Sequence, residues 1–105
     1  MDLLEHKELY DEAFDKWGIN AQLMVVFEEL SELQFAICKS RRPSLYKTDE
    51  QKRQGIINEI ADVYVMLGQL MVMYRILEIE VEDKYIEKIN RLKNMVEKEQ
   101  SKGED

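Results

Sequence analysis

Two short runs of the chain could do chemistry. Phe27 to Lys39, FEELSELQFAICK, sets Glu28, Glu29 and Glu32 among Phe, Leu, Ala and Ile, and the run Gly55 to Tyr74 carries only Glu59 and Asp62 as charged residues. A carboxylate held among apolar side chains without a partner costs several kcal/mol, so acids placed there call for a counter-charge. At about 100° per residue, positions i, i+4, i+7 and i+11 share one line along a helix. One such line reads Val25, Glu29, Glu32, Ala36 and runs on to Lys39; another reads Gly55, Glu59, Asp62, Met66. If the two helices pack antiparallel, Glu29, Glu32, Glu59 and Asp62 converge, and carboxylates at close range cannot all stay ionised without a cation. Ligands that are all oxygen, with no His or Cys, suit a hard ion, Mg²⁺ or Mn²⁺ before zinc.

The same spacing has a plainer source. In a chain with 22 acids, E-x-x-E recurs by chance and usually marks a solvated face or helix-surface ion pairing. The setting argues the other way: between Ala21 and Cys38 the only charges are Glu28, Glu29 and Glu32, so the acids have few solvated faces to occupy.

These stripes need helices to carry them. Pro and Gly together number five in 105 residues, too few for a turn-rich β protein, and the length suits a single domain spanning residues 1–105. A short helix is predicted over Leu3 to Lys16, with Leu4, Leu9, Ala13 and Phe14 available for burial, broken at Trp17-Gly18-Ile19-Asn20. Asn20 is placed to cap a second helix, which runs to Lys39 or Ser40 and stops ahead of Pro43. Thr48-Asp49-Glu50-Gln51 has the form of a capping box, opening a third helix that extends to about Leu77. Glu78-Ile79-Glu80 is read as a break before a fourth helix, Val81 to Glu99, whose apolar stripe is Val81, Tyr85, Ile89, Leu92 and Val96. The expected fold is all-α, an antiparallel arrangement like a four-helix bundle. Two helices apolar almost all round cannot be covered within one such chain, so completion by a second copy, as a homodimer or homotetramer, is expected.

Charge and cysteine usage narrow the setting. A net charge of -7 argues against a partner that is a nucleic-acid polymer, yet Lys39 to Arg53 carries a net +4, where a small anion could be held. Cys38 is alone and reads as a small buried apolar residue of a reducing cytoplasm. The N-terminus lacks the form of a secretory signal, and Asn58, Glu59, Asp62 and Gln69 make Ile56 to Tyr74 a poor membrane span. His6, preceded three residues earlier by Leu3, does not form the E-x-x-H signature of di-iron bundles. Trp17 and Tyr46 could stack on a base, with a core anchor as the other reading of Trp17. Met66, Met71 and Met73 read as adaptable core or subunit contact.

Glu28-Glu29-Leu30-Ser31-Glu32, then twenty-six residues, then Glu59-Ile60-Ala61-Asp62, has the form E-E-x-x-E followed by E-x-x-D. In this the chain, from about Trp17 to Arg91, resembles the MazG-like all-α nucleoside triphosphate pyrophosphohydrolases, relatives of the dimeric dUTPases and dCTP pyrophosphatases. The resemblance implies hydrolysis of a nucleoside triphosphate, often a deoxynucleotide, to the monophosphate and pyrophosphate. It implies Mg²⁺ on Glu29, Glu32, Glu59 and Asp62, with Glu28 matching the first glutamate, and it places Asn90-Arg91 near the nucleotide. Within that chemistry Glu28 or Glu32 could take the proton of the attacking water. Lys39 and the loop cations Arg41, Arg42 and Lys47 could clamp phosphates, although a solvated loop is the better reading of each loop residue and Lys39, on the acidic stripe, is the stronger candidate. A helical interaction or nucleotide-binding module without catalysis is the alternative.

Overall fold

The protein, seen in a computed structural model, is described over residues 2–103, with side chains described through Glu99. Those residues form four helices and no strand: α1 (Lys7–Trp17), α2 (Ile19–Ser40), α3 (Asp49–Met73) and α4 (Glu78–Gly103). They fall into two units, the first ending at Arg75 and the second beginning at Ile76.

In the first unit α2 and α3 pack along each other, and α1 packs on both. Glu32 shares a cleft with Glu59, and Lys39, farther along α2, shares it with Lys52, earlier on α3, so the two helices run antiparallel. The buried apolar side chains are Tyr10, Val26, Met66 and Met71, joined by Gln22. The two buried methionines therefore serve as core. Around them, Met24, Phe27, Phe35, Ile57 and Ile60 stand exposed on α2 and α3.

Helix boundaries follow local chemistry, and several differ from those expected. α1 begins at Lys7 rather than Leu3 because the preceding residues form turns, with Leu4 N–H donating to Asp2 Oδ1 at 2.9 Å. The Leu3 carbonyl and the Tyr10 ring sit against Gly68 of α3, where a Cβ would come within 2.7 Å of Tyr10 Cε2. That close approach buries Tyr10, 7% exposed, in place of Leu9, which is 58% exposed. Gly18 alone divides α1 from α2: at φ 89 it closes α1 with a bond from its N–H to Phe14 O, 2.8 Å, and stands at the N-cap of α2. Asn20 is thus inside the first turn rather than its cap.

The Thr48 box forms in full, with Gln51 N–H donating to Thr48 Oγ1 at 3.1 Å and Thr48 N–H donating to Gln51 Oε1 at 2.9 Å. α3 ends at Met73, four residues before the expected Leu77, because Arg75 adopts a left-handed φ of 54. No Gly or Pro marks the spot in the sequence; a non-glycine residue in this conformation costs about 1–2 kcal/mol. By length and composition alone, α3 is long and apolar enough to cross a membrane.

The second unit is α4. Glu78-Ile79-Glu80 is its first turn, not a break: Glu80 Oε2 accepts from Leu77 N–H at 2.8 Å, and acids favour the positive end of a helix. The stripe of Val81, Tyr85, Ile89, Leu92 and Val96 lies along it, all exposed.

Candidate metal centre

Four side chains expected to converge do so. Carboxylate oxygens of Glu29, Glu32, Glu59 and Asp62 all lie within 4.8 Å of one another, Glu29 and Glu32 from α2, Glu59 and Asp62 from α3. The cause is the spacing. On each helix the two acids are three residues apart, hence on one side, and antiparallel packing matches one pair against the other. Val26 and Met66, one turn away on the two helices, are buried and hold that seam closed.

The environment is hostile to negative charge. Glu29, Glu59 and Asp62 are half-buried, and Glu32 is the exposed member of the set. The Glu29 Oε2 and Glu59 Oε2 atoms are buried without a hydrogen-bond partner. Burial pushes the Glu29 carboxyl above its ordinary value, and the charges of Asp62, Glu32 and Glu59 push it further. Burial likewise raises Glu59, followed by the charges of Glu32 and Asp62, with Asn58 opposing through a hydrogen bond. The oxygens facing Glu29 and Glu59 are those of other carboxylates, which become donors only when protonated.

This donor set fits a hard divalent cation. Two buried oxygens lack partners, four acids come from two helices, and among the described residues no histidine or cysteine stands with them. The four acids could hold a metal ion; magnesium, with manganese as a substitute, is the ion expected from the sequence.

Beyond the acids, a cleft of about 460 Å³ opens between the C-terminal half of α2, the loop after it and the start of α3. Glu32 and Glu59 line it together with Lys39, Arg42, Lys47 and Lys52, among uncharged neighbours such as Phe35, Ala36, Pro43 and Gly55. The Lys39 ammonium lies 4.5 Å from the centre of the Phe35 ring. Lys52, not singled out by any motif, donates its ammonium to the Arg42 carbonyl at 2.7 Å and ties the loop to α3. No sequence motif signals such a side chain to backbone bond across ten residues.

Glu28 is exposed and outside the four-acid group. Trp17 is 58% exposed at the end of α1, under the Lys16 ammonium at 5.2 Å from its ring centre; it is no core anchor, and it does not line the cleft. Tyr46 does line the cleft and is 91% exposed. Arg41 is exposed at the C-cap of α2. Asn90 and Arg91 lie on α4, together with Glu87 and Asn94. Cys38, expected to be buried, is exposed, because the buried side of α2 is occupied by Gln22, Val26 and the half-buried Leu33 and Ala36. His6 is at the N-cap of α1, with no capping bond from its side chain. Compared with protein-family models, with curated proteins and with solved structures, the chain matches none.

Proposed function

We propose that the protein is an Mg²⁺-dependent nucleoside triphosphate pyrophosphohydrolase of MazG-like type, releasing a monophosphate and pyrophosphate. One observation carries this reading: four carboxylates meet within 4.8 Å on otherwise apolar helices, with buried oxygens of Glu29 and Glu59 left without donors. Glu29, Glu59, Asp62 and Glu32 would hold the ion. Magnesium, when bound, would polarise phosphoryl oxygens and make a bound water more acidic.

The chain's own groups have distinct tasks in this proposal. Glu29 and Glu59 are raised toward the neutral form, so a cation that binds them would displace their protons. Glu32 is the exposed acid and also lines the cleft, which makes it a better acceptor for the water's proton than Glu28, outside the group. Phe35 and Tyr46 offer aromatic faces beside the cleft.

The experiment is incubation of the full chain with a panel of NTPs and dNTPs in Mg²⁺, scoring monophosphate and pyrophosphate. Product from at least one nucleotide is expected; none from any would reject the assignment. The four-helix-bundle arrangement completed by a second copy belongs to the same proposal, supported by Met24, Phe27 and Phe35, all exposed. Sedimentation at micromolar concentration should give a dimer or tetramer, and a compact monomer would count against it.

A further inference from the structure

Part of the cleft is built by the loop between α2 and α3, which supplies Arg42, Pro43, Ser44, Tyr46 and Lys47. Little holds this loop where it is. Residues 41–48 are all exposed, and the two large apolar side chains, Leu45 and Tyr46, are 96% and 91% exposed, so burial does not anchor it. Pro43 has no N–H, and among the described residues the stretch from Pro43 to Lys47 makes no backbone-to-backbone hydrogen bond. Side chains do the holding. Ser44 Oγ accepts from Tyr46 N–H at 3.2 Å and Lys47 N–H at 3.1 Å, which sets the loop's own shape. Where that shape sits depends on Lys52, whose ammonium reaches back from α3 to the Arg42 carbonyl. Among the described residues Lys52 is also the one lysine or arginine that is not exposed. A half-buried ammonium needs an acceptor, and this carbonyl provides it.

We infer that Lys52 is a positioning residue: by clamping the Arg42 carbonyl it keeps the loop in place beside the cleft, and it acts on a bound nucleotide through the loop, not by touching it. That the ligand is a nucleotide rests on the hydrolase reading; that Lys52 holds the loop does not. Without this bond the loop is joined to the helices only at its two ends, after Ser40 and at the Thr48 box. Five residues that line the cleft then lose their fixed places together, and ordering them around a ligand costs more. Glu29, Glu32, Glu59 and Asp62 stand on the helices, so loosening the loop leaves their geometry alone. The expected signature is a raised KM with kcat and Mg²⁺ affinity kept. Lys52 itself lines the cleft, so a direct contact with the nucleotide is the rival that the experiment has to separate.

The test compares Lys52→Met and Lys52→Arg with the original full chain. In the absence of any nucleotide, chymotrypsin should cut after Leu45 or Tyr46 about tenfold faster in Lys52→Met, while Lys52→Arg, which keeps the charge and the donors, should stay near the original rate. Neither substitution alters the bonds being cut. In the product assay Lys52→Met should raise the KM of the best nucleotide about tenfold and leave kcat within about twofold. Mg²⁺ affinity by calorimetry should be the same in all three proteins, which controls for folding. Ser44→Ala frees the Tyr46 and Lys47 N–H groups without changing charge, and should move cleavage rate and KM in the same direction by a few fold. Unchanged cleavage in Lys52→Met overturns the inference, and a raised KM beside it would mean that Lys52 touches the nucleotide directly. Faster cleavage with an unchanged KM overturns it as well, since the loop then positions nothing. Should Lys52→Met lose Mg²⁺ affinity through misfolding, Ser44→Ala decides: no change in cleavage or KM there overturns the inference. If the original protein hydrolyses no nucleotide while cleavage still depends on Lys52, the hold on the loop stands and the hydrolase reading falls.

Discussion

Glu29 and Glu59 bury carboxylate oxygens that have no donor, whereas Lys39, near the end of α2, and Arg42 and Lys47, in the loop that follows, stand exposed around an open cleft. The acidic seam concentrates like charges where the dielectric is low, so its charge is destabilising until a cation arrives. The basic end keeps its charges apart and hydrated, so they cost the fold little and add little to it. One pair of helices thus carries a strained site and a relaxed one. Charge removal should have opposite consequences in the two.

Glu59→Gln should show the largest effect, lowering hydrolysis by roughly 10²–10⁴-fold and weakening Mg²⁺ binding, as read by product assay and calorimetry. The same substitution should raise the Tm of the metal-free protein, since it removes a charge from the seam. A lower Tm would mean that the acids stabilise each other through some contact, and the contrast between the two regions would collapse.

Thr48→Ala acts at the other region. It removes one hydroxyl from the capping box where the basic loop meets α3, and should cost about 1 kcal/mol of stability in denaturant unfolding. Because the acids lie farther along α3, Mg²⁺ affinity should change less than the KM for nucleotide. Equal losses in both would show that the two regions are not separable.

The smallest expected effect is a slope with pH. Glu29 and Glu59 are raised in the folded protein, so the folded state holds their protons more tightly than the unfolded chain. Their favourable contribution is complete below the unfolded carboxylate value and is lost as pH rises through the folded one. In the metal-free protein, stability contributed by this pair should fall with rising pH just above the ordinary carboxylate range, and Glu29→Gln should flatten that part of the curve. With Mg²⁺ present the trend should weaken or reverse, because the ion binds the deprotonated acids. A metal-free curve with the same slope before and after Glu29→Gln would contradict the burial and charge crowding described for Glu29.

Much of this was legible in the residues. The i, i+3 spacing of Glu29 with Glu32 and of Glu59 with Asp62 places each pair on one helix side, and Thr48 with Gln51 announces the start of α3. What escaped was conformation without a residue-type signature. Arg75 takes a left-handed φ that a sequence reader assigns to Gly, so α3 ends early and α4 begins early. Cys38 and Leu9 are apolar by type yet exposed, since type says what can be buried, not which side of a helix finds a neighbour. The Lys52 bond to the Arg42 carbonyl joins segments ten residues apart through a backbone atom that every residue possesses.

By itself, then, the sequence determined the helices and the side of each on which its acids lie, because a helix repeats its geometry every few residues and needs no partner to do so. Only the tertiary structure decided that the two acidic sides face each other, that two of their oxygens are shut away from any donor, and that a cleft joins them to Lys39, Arg42 and Lys47. Those depend on which surfaces meet across the chain, and burial and electrostatic crowding exist only once they have met.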